Sequence, residues 1–144
     1  MVDETLILRK LAELEEYASQ IGDFRTITIR EYHEDWKSQR IIERTLQMMV
    51  ETCVDIAGHI ISDQKFRIPN SYADTFHVLN ENAVIADDLC KTMEKISKFR
   101  NVIVHHYDRV DAEIVIDILR NRIDDFNLYR DAIVSWLKNQ QRER

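Results

Sequence analysis

The stretch QRIIERTLQMMVETCVDIAGHIIS, Gln39 to Ser62, carries the reading of the fold. Ile42, Leu46, Met49, Cys53, Ile56 and Ile60 follow one another in it at spacings of 4, 3, 4, 3 and 4 residues. A helix returns to one face about every 3.6 residues, so these side chains form one continuous apolar stripe. A stripe of that length has to face another helix from end to end, which is bundle packing.

Working outward, the flanking segments have the same character. Over residues 3–21, Ile7, Leu11, Leu14, Ala18 and Ile21 repeat at 4, 3, 4 and 3, with Asp3 as the cap and Gly22 as the stop. Residues 23–27 are a connector, and Thr28 caps a short helix through Trp36. A loop surrounds the lone Pro69, and Ser71 opens another short helix with Asp74 three positions on, a variant of the capping box. Asp87 or Asp88 caps a helix that runs to about His106. Asp111 caps the last helix, which continues to about Lys138 and carries Val115, Leu119, Phe126, Tyr129, Ile133, Trp136 and Leu137. The polar tail KNQQRER, Lys138 to Arg144, is expected to fray. With two glycines and one proline in 144 residues there is little room for hairpins. The expected fold is all-α: an up-and-down bundle of four long or medium helices plus short ones, forming one domain over 1–144.

Composition narrows the function. A net charge of −6 argues against a protein that coats nucleic acid nonspecifically, yet leaves room for a local basic cleft. No window holds the ~18 apolar residues of a membrane span. Cys53 and Cys90 lie inside helical patterns, with no C-x-x-C, and no secretory leader is expected. A reducing, cytoplasmic setting follows. There is no glycine-rich phosphate loop.

The segment FRNVIVHHYD, Phe99 to Asp108, does not suit an ordinary core helix. At about 100° per residue, Leu89, Met93, Ile96, Phe99, Ile103 and Val104 share one apolar arc, and Arg100 lies within it. A guanidinium stays charged, and a charge on a packing face costs several kcal/mol unless it is paired or faces a cleft. Tyr107 falls on nearly the same line if the helix extends that far. His105 lies on another edge, and Asn101, one turn before it, is placed to touch and orient it. From Leu89 to Arg109 there are five Lys or Arg against two acids, a formal +3.

These residue types suit RNA cleavage without a metal. A neutral imidazole can take the 2′-OH proton, or a protonated one can give a proton to the leaving oxygen. An arginine holds the phosphate and its developing charge. One helix supplies one such histidine, and a two-fold homodimer would bring a second. Spacing alone fits a salt-bridge or capping cluster as well.

Glu51, Asp55 and His59 form an i, i+4, i+8 row on the long helix. The row reads as a polar network, with Glu51 or Asp55 a candidate partner for Arg100, rather than as a metal site. Arg40 and Arg44 are candidates to reach RNA. His33, His77, Cys53 and Cys90 read as structural.

The run RNVIVHHY, Arg100 to Tyr107, resembles the Arg-x4-His-x-Tyr signature of HepT-like toxins in the HEPN superfamily. Arg40–Ile61, Ser71–Leu79 and Tyr107–Leu119 are similar to successive segments of that family, so the resemblance covers roughly residues 5–138. It implies a dimeric helical bundle with the motif at the dimer cleft, and a metal-independent endoribonuclease toxin without a cofactor. It also implies a small MNT-type nucleotidyltransferase antitoxin, MntA-like, that transfers AMP onto the motif tyrosine. Carried over, Arg100 and His105 would be catalytic, Asn101 would support them, and Tyr107 would accept AMP. His106, between His and Tyr, departs from a typical motif and reads as a bystander, able to back up the base if the helix ends early. The other reading is a non-catalytic HEPN subunit that binds nucleotide or nucleic acid, or is a scaffold for the nucleotidyltransferase.

Overall fold

The architecture, seen in a computed structural model that describes residues 2–143, is α-helical, with no strand among those residues. In chain order come α1 (Glu4–Gly22), α2 (Ile29–Glu34), α3 (Trp36–Gln64), α4 (Tyr72–Glu81), α5 (Asp87–His105), α6 (Ala112–Asp117) and α7 (Ile123–Arg142). A 3-10 turn, Tyr107–Arg109, follows α5, and a π-helical segment, Ile118–Arg122, joins α6 to α7.

The helices start where polar caps stand. Asp3 accepts from the Leu6 N–H at 3.1 Å, Thr28 from Glu31 at 3.1 Å, Ser71 from Asp74 at 3.0 Å and Asp111 from Glu113 at 2.9 Å. Each satisfies a donor that the helix itself leaves open.

The α3 stripe is the centre of the bundle. Ile42, Met49, Cys53, Ile56 and Ile60 have no exposed surface, and Leu46 has almost none. α1, α4 and α5 pack around α3, and α7 closes the bundle against α1 and α5. The fully buried Tyr129 of α7 donates its hydroxyl to the Cys53 carbonyl at 2.8 Å and meets the Phe76 ring edge-on at 5.8 Å. Its pKa rises well above the ordinary tyrosine value because burial disfavours the phenolate.

α4 runs antiparallel to α5. Tyr72 lies against Arg100, His77 against Glu94, and Asn80 donates to Asp87 Oδ1 at 2.8 Å. That pairing brings an aromatic ring from α4 to the C-terminal end of α5.

The structure corrects four boundaries. Trp36 opens α3 instead of ending α2: Asp35 is extended and accepts from the Lys37 and Ser38 N–H groups, so one residue ends one helix and caps the next. The cap of α5 is Ala86, with no side-chain hydrogen bond, while Asp87 lies inside the helix and accepts from Asn80. The last helix is interrupted at Ile118–Arg122, and Arg25 donates to the Arg120 carbonyl at 3.5 Å across that wide turn. The expected frayed tail is helical as far as Arg142, and Arg144 lies outside the described residues. Among the described residues no helix is long and apolar enough to cross a membrane.

Candidate active site

The site is built where α5 stops. His105 is its last residue, and the His106 N–H donates to the Val102 carbonyl at 2.8 Å. His106 leaves the helical region at φ −138°, ψ 47°, and the chain turns through Tyr107–Arg109. Tyr107 therefore does not continue the Arg100 line along a helix. The turn swings its ring into solvent, where it is 69% exposed. His105 and His106 are also exposed.

Arg100 is the opposite case. Its side chain is only 13% exposed, as its place in the apolar arc requires. Nη2 donates to Glu51 Oε1 at 2.5 Å, and Nη1 donates to Asn101 Oδ1 at 3.2 Å. The guanidinium lies over the Tyr72 ring, 4.6 Å from its centroid, a cation–π contact. Nε is buried and has no partner among the described residues. An arginine has five N–H donors, so this one is held in place while short of acceptors.

Glu51 is the anchor of the arrangement. The same oxygen that takes Arg100 also accepts from Gln47 Nε2 at 3.0 Å. Burial pushes the Glu51 carboxyl up, but hydrogen bonds from Arg100 and Gln47 and the charges of Arg100 and Arg44 outweigh it. The net result is a value below the ordinary 4.5. Glu51 is thus an anion at neutral pH, facing a cation it only partly saturates.

The sequence reading of the row on α3 offers Glu51 or Asp55 as the partner of Arg100, and the first of the two takes that place. Glu51 is the guanidinium partner, while Asp55 turns to Lys10 of α1 at 3.6 Å. Asp55 and His59 line an open groove of about 660 Å³ together with Asn70, Ser71 and Tyr72. That groove abuts the ring that carries Arg100. Arg40 and Arg44 are exposed on the same helix.

One expectation needs correcting. Asn101 supports Arg100, not His105, because at the next position on the helix its amide oxygen reaches the guanidinium. Among the described residues His105 makes no hydrogen bond or ion pair with a side chain, and its imidazole is open to solvent. Tyr72 was not singled out by sequence reasoning. Its signal is weak, an aromatic one position after the Ser71 cap, and its role depends on the antiparallel pairing of α4 with α5.

Residues 14–133 match the family described as ribonuclease HepT-like. The chain therefore belongs to the HepT-like ribonucleases, a family of RNA-cleaving enzymes. It is 32% identical over 103 residues to the mRNA nuclease HepT of Shewanella oneidensis, covering 72% of this chain and 77% of that relative. It is 26% identical over 142 residues to the tRNA nuclease HepT of Aphanizomenon flos-aquae, covering 99% and 97%. Among solved structures it is similar to the tri-AMPylated Shewanella oneidensis HEPN toxin in complex with its MNT antitoxin. That similarity has a TM-score of 0.83 at 29% identity and covers 94% of this chain and 99% of that one.

Proposed function

We propose that the whole chain, 1–144, acts as one domain and as a metal-independent endoribonuclease toxin in the cytoplasm. Two copies would form the working cleft, and an MNT-type nucleotidyltransferase antitoxin would silence it. The observation that carries this reading is Arg100: a permanent cation on a packing face, anchored by Glu51 and Tyr72, with a buried N–H left unpaired. An arginine kept only for structure has no reason to be left short of acceptors.

In the proposed reaction the imidazole of His105 takes the proton from a ribose 2′-OH. The 2′-oxygen attacks the adjacent phosphorus, and the bond to the 5′-oxygen breaks. That oxygen leaves with a proton from the protonated His105 of the second subunit. Arg100 donates to the phosphate oxygens as charge builds on them, which is transition-state stabilisation by a preorganised donor. Asn101 keeps the guanidinium turned toward the scissile group. Tyr107, out in solvent, is reachable by a partner enzyme. Its hydroxyl oxygen would attack the α-phosphorus of ATP, with loss of its proton and departure of pyrophosphate. The attached AMP would set a negative charge at the mouth of a cleft that has to bind phosphate.

Labelled RNA and the purified protein test both parts. His105→Ala and Arg100→Ala should each abolish cleavage with the helical content kept. Activity surviving both changes would assign the cleavage elsewhere, and an inactive native protein would favour the scaffold reading. With the nucleotidyltransferase and ATP, the native chain should gain mass in AMP increments and Tyr107→Phe should gain none. Equal gain in the two would remove Tyr107 from this role.

A further inference from the structure

A second cluster lies at the other end of α5. Cys90 and Glu94 are one helical turn apart, so both project toward α4, where His77 meets them. His77 Nε2 is in contact with Glu94 Oε1, and Cys90 Sγ is 3.8 Å from the same oxygen. The three ligand atoms all lie within 4.8 Å of one another.

We propose that His77, Cys90 and Glu94 form a site for a zinc-class divalent cation that clamps α4 to α5. The donor set is one imidazole, one thiolate and one carboxylate, the mixed N, S and O set that zinc accepts. Around a tetrahedral zinc, with bonds of roughly 2.0–2.3 Å, such atoms stand about 3.3–3.6 Å apart. The Cys90–Glu94 separation is close to that, and His77, half-exposed, has the freedom to move out and admit the ion. A thiolate and a carboxylate together balance the charge of a divalent cation.

Without a cation the three groups are already tied to one another: the buried Cys90 thiol donates to the Glu94 carboxylate, which His77 also meets. Asp74 and Glu81, on the same helix as His77, are held by Arg67. A metal would replace the thiol proton, which passes to water, and draw the three groups into one shared coordination. The open side of His77 leaves room for a water as fourth ligand.

The consequence reaches the site described above, because α4 carries both His77 and Tyr72. A clamp at His77 would fix the register of α4 on α5 and hold the Tyr72 ring under Arg100. The inference does not depend on RNA cleavage and would stand if that reading failed.

Cobalt(II) chloride added to the chelator-treated full chain is the test. One cobalt should bind per chain and give a near-ultraviolet thiolate charge-transfer band that zinc displaces. Cys90→Ser and His77→Ala should lose the band and weaken zinc binding by about tenfold or more. Cys53→Ser and His59→Ala should keep both properties. Zinc should raise the melting temperature of the native chain but not of His77→Ala, whose half-exposed position keeps the fold intact if Cys90→Ser unfolds. No cobalt bound by the native chain, a band that persists without Cys90, or equal zinc affinity in His77→Ala would overturn the proposal.

Discussion

Arg67 and Arg100 both donate to carboxylates, and the contrast between them is between a cation tied on every nitrogen and one that is not. Arg67, in the loop before α4, donates to both oxygens of Asp74 at 2.8 Å and, through Nε and Nη2, to Glu81 at 3.0 and 2.8 Å. Asp74 also accepts from the Asn70 N–H at 2.9 Å, so the loop, the cap region and the end of α4 are tied through one guanidinium. Hydrogen bonds from Arg67 hold the Asp74 carboxyl far below its ordinary range. Arg100 has one carboxylate, one amide oxygen and a ring, and a buried Nε with no acceptor among the described residues. All three nitrogens of the exposed arginine donate to carboxylates, whereas Nε of the buried one has no partner among the described residues. Under the proposed function, that inversion marks where an anionic ligand is expected.

The largest expected effect sets the two arginines side by side. Arg100→Ala should lower RNA cleavage by about 100-fold or more, the scale of losing an oriented donor to developing charge. Arg67→Ala should leave the rate constant for cleavage within about twofold, since no phosphate contact is lost. Its effect should appear as a lower melting temperature and faster proteolysis of the loop around Pro69. Similar cleavage losses in the two variants would erase the distinction.

Glu51→Gln comes next. It keeps the shape and removes the charge that balances Arg100. With both side chains partly screened by solvent, the cost should be about 1–2 kcal/mol in chemical denaturation. RNA should bind more tightly and turn over about tenfold more slowly, because the cation is freed and also loosened. Weaker binding would mean that Glu51 touches the substrate directly.

Acid exposes the same pair. The Glu51 carboxyl is lower in the folded chain than in the unfolded one, so the unfolded state binds the proton more readily. Its stabilisation is complete above the ordinary value of 4.5 and is lost as pH falls through the depressed folded value. The melting-temperature gap between the native chain and Glu51→Gln should be constant near neutrality and close below that point. A gap that widens in acid would reverse the sign. The smallest effect belongs to Tyr72→Leu, which keeps bulk but removes the ring face. It should cost about 0.5–1 kcal/mol of stability, read by denaturant titration.

The bundle was legible because its central stripe is long and uninterrupted, and because Asp3, Thr28, Ser71 and Asp111 are caps with side chains that announce themselves. The misread boundaries lack such marks. Asp35 ends α2 and begins α3 within one residue, Ala86 has no capping group, and no glycine or proline flags the π-helical turn at Ile118–Arg122. The burial of Arg100 could be argued from the geometry of one helix, whereas its choice of Glu51 over Asp55 depends on how α5 lies on α3. Tyr72 and the meeting of His77 with Cys90 and Glu94 could not, because they depend on how α4 lies on α5. The attachment of Asn101 to Arg100 rather than His105 turned on a side-chain rotation that spacing does not specify.

Cleavage of labelled RNA by Arg100→Lys addresses the central claim most directly. Lysine keeps the charge and can still meet Glu51, but it is a point charge that cannot hold Glu51 and a phosphate oxygen in one planar fork. The expected result is a folded protein that binds RNA and does not cut it. Cutting at the native rate would mean that charge alone suffices and that the unsaturated guanidinium has no part in the chemistry.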